Sequence, residues 1–145
     1  MMAAPSIARS AAELLAFRIS PADSNYFACL LDPLGDGVSF TMVVEIFEPG
    51  GRTPPNTHLI AEEAFFVLRG TGKAIVEGAS RDIGPGDVLV LRPGTEHVVE
   101  NTGREKLYCL TIMTPNEGFA ELIRSGTPVP LTDEDRAVIT GGQHC

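Results

Sequence analysis

Residues 54–70, PPNTHLIAEEAFFVLRG, change from polar to apolar within a few positions. His58 comes first, two adjacent carboxylates follow at Glu62 and Glu63, and the apolar run after them has the composition of a strand. His58 is one of only three histidines in the chain. A solvated loop could collect these residues by chance, but imidazole and carboxylate are also the side chains that bind divalent metals. The rest of the sequence has to decide between those interpretations.

The bulk composition excludes several classes of function. The chain has 145 residues and a net charge of −8, with 43% hydrophobic and 21% charged residues. This length indicates one domain that can bury its own core. The acidic balance argues against binding nucleic acid or anionic membranes, and no segment approaches the roughly 20 apolar residues that span a bilayer. Cys29, Cys109 and Cys145 have no paired spacing, so we predict no disulfide framework and a cytoplasmic location.

The middle of the chain reads as short strands separated by Gly, Pro and Asn. Residues 38–48 alternate, with apolar side chains at the even positions from 38 to 46 and Ser39, Thr41 and Glu45 on the other face. Residues 79–87 are interpreted as turn-rich. Strands spaced at these intervals predict an all-β sandwich or barrel. Further strands are predicted at 24–31, 63–70, 73–78, 88–94, 97–103 and 106–113.

Both ends of the chain are predicted to carry short helices. Asn116 is placed to cap one C-terminal helix and Thr132 to cap another. The acidic residues 133–135 then fall in the first turn of the second helix, where the helix dipole favours anions. His144 and Cys145 are expected to be disordered rather than catalytic.

The candidate site combines residues from two distant segments. Asn56 and His58 point to the same side of an extended chain, whereas Glu63 can join them only if the chain bends between 59 and 62. His97 follows a Pro-Gly turn on a later strand, so closure of the sheet into a barrel would bring these side chains together. Each residue alone is more typical of a strand end or a solvated turn. The joint spacing is what favours a divalent first-row metal.

That spacing resembles the cupin superfamily, whose fold is a double-stranded β-helix, or jelly-roll, barrel. The first cupin motif reads Gly, five residues, His, one, His, three or four, Glu, six, Gly. The second reads Gly, five residues, Pro, one, Gly, two, His, three, Asn. Asn56 occupies a histidine position of the first motif, and Arg92 a proline position of the second. The positions that match are Gly50, His58, Glu63, Gly70, Gly86, Gly94, His97 and Asn101.

The resemblance implies an organisation and a ligand set. It implies an N-terminal arm at 1–23, a barrel at 24–115 and a C-terminal helical segment at 116–145. It also implies that a divalent ion, Fe, Mn, Ni or Zn, is bound by three ligands, with Asn56 either a fourth ligand, a holder of a metal-bound water or outside the shell. Small cupins usually associate, so a homodimer is expected. The three ligands that it implies are His58, Glu63 and His97.

The expected function is that of a metal-dependent enzyme acting on a small organic molecule. The 2-His-1-carboxylate set slightly favours a dioxygenase-like oxidoreductase. The alternatives are a metal-dependent isomerase or lyase, a non-catalytic sensor or storage cupin, and a barrel that has lost its metal. Met42, Phe65 and Tyr108 are candidates for lining the substrate pocket.

Overall fold

The computed structural model describes residues 4–142 and confirms a mostly β fold with short helices. The helices are α1 (Pro33–Asp36), α2 (Phe119–Arg124) and α3 (Asp133–Ile139), with a 3-10 turn at Ala11–Glu13. The strands are β1 (Leu15–Arg18), β2 (Tyr26–Leu31), β3 (Thr41–Phe47), β4 (Glu62–Arg69), β5 (Gly72–Val76), β6 (Ala79–Ile83), β7 (Val88–Leu91), β8 (His97–Asn101), β9 (Leu107–Thr114) and β10 (Thr127–Pro128).

The strands form two sheets that enclose the core. The larger sheet has the order β10-β1-β2-β3-β9-β4-β7 and the smaller one the order β6-β5-β8. Odd-numbered residues of β3, β4 and β9 share the inner face, because Glu45 pairs with Cys109 and Cys109 with Val67. Glu63 and Phe65 also lie on this inner face, as the alternation along β4 predicts.

The polar face predicted for residues 38–48 does not face solvent within β3, although Ser39, which precedes the strand, is exposed. Thr41 and Glu45 are buried at 1% and 2% exposure, on the face that points into the barrel. The apolar face of β3, with Val44 and Ile46, is buried as well, against a second cluster that includes Leu131. The alternation is therefore real, but a second layer covers the outer face, and residue type alone could not show which face points inward.

Three strands were not predicted from the sequence. β1 and β10 pair with each other, and β1 pairs with β2, so strands from outside 24–115 extend the larger sheet. β6 lies in the segment that was interpreted as turn-rich, and it pairs with β5 along its whole length. Four of its five residues are exposed, so β6 is a polar edge strand whose composition resembles a turn.

Two motif positions have structural roles. The Asn101 side chain is 1% exposed, and its Nδ2 donates to the carbonyl oxygens of Phe47 at 3.0 Å and Glu105 at 2.8 Å. These bonds tie the end of β3 to the turn that precedes β9. Gly70 has a φ of 89°, and a Cβ there would lie 2.6 Å from the carbonyl oxygen of Lys106. Any larger residue at position 70 would therefore push the β8–β9 turn away from β4.

The C-terminal helices begin near the predicted caps. The Asn116 side chain accepts the backbone N–H of Ala120 at 2.8 Å, although the residue that immediately precedes α2 is Gly118. Thr132 caps α3 through a reciprocal capping box with Asp135. These contacts confirm the two helices and the role of Thr132.

The sequence suggested only that Asp135 supplies negative charge at a helix end. In the structure it has a further role. It is fully buried and accepts hydrogen bonds from the hydroxyls of Tyr26 and Tyr108, both at 2.7 Å. Lys106 Nζ lies 3.3 Å away. Burial raises the pKa of Asp135, but the bonds from Tyr108, Tyr26 and Thr132 outweigh that effect and hold the pKa below its ordinary value. Asp135 thus fastens α3 to the outer face of the sheet.

Two further sequence-based predictions concern the last two residues of the chain and the absence of membrane-spanning segments. His144 and Cys145 lie outside the described residues. Across residues 4–142, no helix has the length and apolar character required to cross a membrane.

Candidate metal centre

Three separate segments bring the candidate ligands together. Glu63 lies near the start of β4, His97 is the first residue of β8, and His58 belongs to the loop between β3 and β4. The loop runs antiparallel to β8, since Asn56 forms an isolated bridge with His97. The chain bends at residues 59–60, as the spacing from His58 to Glu63 required, and the start of β4 then carries Glu63 inward.

The ligand atoms converge on one carboxylate oxygen. His97 Nε2 lies 2.9 Å and His58 Nε2 lies 3.2 Å from Glu63 Oε1. One ligand atom from each residue lies within 4.8 Å of the others. Ligands that each sit about 2.1 Å from a common ion are separated by about 3–3.5 Å. The group could therefore hold a metal ion with little rearrangement.

The protonation of His97 supports the same conclusion. Its Nδ1 lies 3.0 Å from the carbonyl oxygen of Thr95, which can only accept, so Nδ1 carries a proton. In the neutral ring Nε2 is then unprotonated, and its lone pair faces the carboxylate of Glu63. Two acceptors at 2.9 Å require a cation between them, either a proton or a metal ion.

The pKa shifts of His97 and Glu63 both favour a positive charge between the two side chains. Burial lowers the pKa of His97, but the hydrogen bonds with Glu63 and the Thr95 carbonyl, together with the charge of Glu63, outweigh burial and raise it overall. Burial raises the pKa of Glu63, but hydrogen bonds with His58 and His97 outweigh it, and the pKa is lowered. A metal ion would replace the proton between these groups, so metal binding should release protons.

Asn56 lies beside the three candidate ligands. Its side-chain Nδ2 is 3.4 Å from His58 Nε2, and the residue is half-buried in the wall of the same pocket. Its backbone exchanges hydrogen bonds with His97, donating at 3.1 Å and accepting at 2.9 Å. The position that departs from the motif is therefore adjacent to the centre, and its side chain points toward it.

Glu117 is a residue of the site that sequence reasoning missed. It lies between β9 and α2 with a φ of 48°, and its carboxylate accepts the backbone N–H groups of Leu59, Ile60 and Ala61. The bonds from Leu59 and Ala61 measure 2.9 and 2.8 Å. Glu117 Oε2 also lies 4.0 Å from His58 Nδ1. Glu117 thus anchors the bend between His58 and Glu63, and no sequence spacing connects it with them.

A pocket of about 280 Å³ opens beside the candidate ligands. Phe65 lines it, whereas Met42 and Tyr108 do not. The sequence-based assignment of those two residues needs correction, because even-numbered residues of β3 and β9 lie on the outer face, where Tyr108 bonds Asp135. The apolar part of the wall consists of Ile19, Phe27, Phe65, Met113, Phe119 and Leu122.

Glu45 is the second residue that sequence reasoning missed as part of the site. It lines the pocket together with the candidate ligands and is only 2% exposed. The signal was present in the alternation of residues 38–48, but a glutamate on the polar side of a strand is usually interpreted as solvated.

Comparison with known proteins identifies the fold family. The family model described as the cupin domain matches residues 43–113, which run from β3 through β9 and contain all three candidate ligands. The protein is a small cupin. An uncharacterized protein of Methanocaldococcus jannaschii is 28% identical over 94 residues, which is 64% of this cupin and 75% of the archaeal protein.

Solved structures agree with this fold. A predicted oxalate decarboxylase from Thermotoga maritima aligns with a TM-score of 0.65 and 24% identity, over 74% of the cupin and 97% of that chain. A putative sugar phosphate isomerase from Acidithiobacillus ferrooxidans aligns with a TM-score of 0.55 and 27% identity, over 61% of the cupin and 58% of that chain. The descriptions of these relatives differ in chemistry, so the similarity does not specify a reaction.

Proposed function

We propose that this cupin is a metal-dependent enzyme that acts on a small organic molecule. The observation that carries the proposal is the convergence of His58, Glu63 and His97 on one point at the wall of a largely apolar pocket. Two imidazoles and one carboxylate leave coordination positions for other ligands. A pocket of about 280 Å³ is at the small end of the range for ligand sites, which restricts the substrate to a compact molecule.

Each residue of the site has a distinct role in this proposal. His58, Glu63 and His97 hold the ion, and the Thr95 carbonyl fixes the His97 ring with Nε2 facing inward. Glu117 positions the loop that carries His58. A divalent ion bound there would supply Lewis acidity and a template for orienting substrate or O2. Fe, Mn, Ni and Zn all accept this donor set.

Within this class we favour a dioxygenase-like oxidoreductase. The 2-His-1-carboxylate set is the one that non-haem iron oxygenases use, because it leaves adjacent positions free. The apolar wall around Phe65 and Phe119 would keep bulk water away from a reactive site. A metal-dependent isomerase or lyase is the second candidate, which the similarity to a putative sugar phosphate isomerase favours.

Two successive measurements, a metal analysis and then an activity assay, test the proposal. Elemental analysis of protein purified without chelator should find close to one equivalent of a first-row metal, and His97→Ala should lose it. Glu62→Gln is the matched control, because Glu62 is the exposed neighbour of Glu63 and should leave occupancy unchanged. A metal-free wild type that also fails to bind added Fe²⁺, Mn²⁺, Ni²⁺ or Zn²⁺ would overturn the proposal.

Oxygen uptake with candidate catechols, diketones and thiols then tests the dioxygenase-like chemistry. Substrate-dependent uptake that His97→Ala abolishes would support it. Turnover of a substrate under anaerobic conditions, followed by NMR, would instead indicate the isomerase or lyase. Tight metal binding and ligand binding without any turnover would indicate a non-catalytic binding protein.

A further inference from the structure

Glu45 is a buried carboxyl group without a partner. It lies in the middle of β3, faces the barrel interior and is 2% exposed. Its carboxyl makes no hydrogen bond or ion pair with any residue in the described range 4–142. Buried polar groups are nearly always hydrogen-bonded, so an exception next to a pocket calls for an explanation.

The surroundings of Glu45 favour its neutral form. Phe27 on β2 and Cys109 on β9 are its paired neighbours, and both are buried. Placing an ionised carboxylate in such an environment is far more costly than keeping the acid protonated. The pKa of Glu45 is accordingly raised well above its ordinary value, by burial first and by the charge of Glu63 second.

The strand register separates Glu45 from the candidate metal ligands along the barrel. Glu63 is level with Met113 and Thr41, whereas Glu45 lies four residues further along β3 than Thr41 and is level with Cys109. Both carboxyl groups nevertheless line the same pocket. Besides the candidate ligands and their neighbours Asn56 and Glu117, the polar side chains of the pocket wall are Thr53 and Glu45. A molecule that extends from the ligands to Glu45 would contact both carboxyl groups.

We propose that Glu45 is a second anchor of this pocket, and that it donates a hydrogen bond, as a neutral acid, to a carbonyl or carboxylate oxygen of a molecule bound at the metal centre. This inference rests on the proposed function, because the first anchor is the metal ion. It narrows the substrate class to compact compounds with a metal-binding group at one end, an apolar frame, and a second acceptor oxygen. An acceptor oxygen of the bound molecule would then receive the proton of Glu45 in a hydrogen bond.

The protonation state can be tested without any ligand. Infrared difference spectroscopy between wild type and Glu45→Gln should show the carbonyl band of a protonated carboxyl group, in both metal-free and metal-loaded protein. Absence of the protonated band in the metal-loaded protein would overturn the inference.

Binding of a matched ligand pair tests the hydrogen bond itself. The probes are levulinate and pentanoate, which share a carboxylate for the metal and differ by one ketone oxygen. Metal-loaded wild type should bind levulinate about tenfold more tightly, the value of one good hydrogen bond. Glu45→Gln keeps an N–H donor and should retain most of this preference, and Glu45→Leu should lose it. The control Glu62→Gln should behave as wild type.

The remaining outcomes are also decisive. Equal affinity for the two probes, or failure to bind either one, would overturn the role of Glu45. Preference for 5-aminopentanoate over pentanoate would mean that Glu45 is an anionic acceptor, which also overturns it. Metal affinity should be the same in wild type and Glu45→Leu. Because metal binding is measured separately, a failed metal site and a failed second anchor give different results.

Discussion

Replacing Asn56 by histidine should strengthen metal binding. Asn56 and His97 are partners in an isolated antiparallel bridge and exchange both backbone hydrogen bonds. Side chains of directly paired residues project to the same side, with Cβ atoms about 5.5 Å apart. The Asn56 side chain already reaches to 3.4 Å from His58 Nε2. An imidazole at position 56 would therefore project toward the ion that His58 and His97 are proposed to bind.

The size of the expected gain in metal affinity follows from replacing an amide oxygen by an imidazole nitrogen. Imidazole binds first-row metals more strongly than an amide oxygen does. We expect Asn56→His to raise metal affinity by about tenfold, which corresponds to about 1.4 kcal/mol. Asn56→Ala should stay within a few-fold of wild type if Asn56 only positions a water molecule. Turnover by Asn56→His should fall if substrate or O2 uses the position that the new ring would occupy.

Competition titration measures this prediction directly. Each apoprotein would be titrated with Ni²⁺ or Zn²⁺ against a chromophoric chelator at fixed pH, since proton release makes the apparent affinity depend on pH. Circular dichroism would confirm that all three proteins remain folded. Equal affinity for wild type, Asn56→His and Asn56→Ala would refute the reasoning. Position 56 would then have no part in the metal centre.

Four further predictions follow from the described contacts. His97→Ala and His58→Ala should each abolish tight metal binding while the barrel stays folded; a variant with full occupancy and an unchanged unfolding curve would show that the residue is not a ligand. Asp135→Ala should lower the free energy of unfolding by about 3 kcal/mol in urea titrations, because it removes the buried carboxylate that the hydroxyls of Tyr26 and Tyr108 and the Lys106 ammonium share. Since the folded-state pKa of Asp135 is lowered, its stabilisation should be complete above about pH 4 and disappear as the pH falls through that lowered pKa; a loss under 1 kcal/mol, or one that persists at low pH, would contradict this. Glu117→Ala should speed limited proteolysis within residues 59–61 while Glu117→Gln, which keeps an acceptor oxygen, should not; equal cleavage of both would remove its anchoring role. Light scattering should give twice the monomer mass of 15.4 kDa. Val88→Lys should shift the protein toward monomer, because Val88 is 74% exposed on the edge strand of the larger sheet. A wild-type mass near 15.4 kDa at micromolar concentration would reject the dimer.

The sequence predicted the fold and the convergence of His58, Glu63 and His97, because local spacing contributes strongly to both. Alternation along β4 put Glu63 and Phe65 on the inner face, and the spacing from His58 required the bend that the structure shows. The glycine and asparagine positions of the motifs act through turn geometry and short hydrogen bonds, as at Gly70 and Asn101.

The sequence-based predictions that were wrong share one physical cause. Whether one face of a strand is buried depends on elements that are distant along the chain. Met42 and Tyr108 lie on a face that the C-terminal segment covers, and no local pattern shows where that segment packs. The strand β6 pairs only with β5, so its residues remain polar and resemble a turn. Glu45 was assigned to a polar face, whereas closure of the barrel places that face in the interior.

The residues that would distinguish this cupin chemically therefore lie outside the two motifs. A 2-His-1-carboxylate set fixes where an ion can bind but not which molecule reaches it. The rest of the pocket wall would supply the selection, with Glu45 and Phe27 from neighbouring strands and Phe119 from the C-terminal segment. Glu45 is the most distinctive of these residues, because it is a carboxyl group that lines the pocket and makes no hydrogen bond or ion pair with another residue in the range 4–142. A substrate search should accordingly begin from compact molecules that carry an acceptor oxygen at the end opposite their metal-binding group.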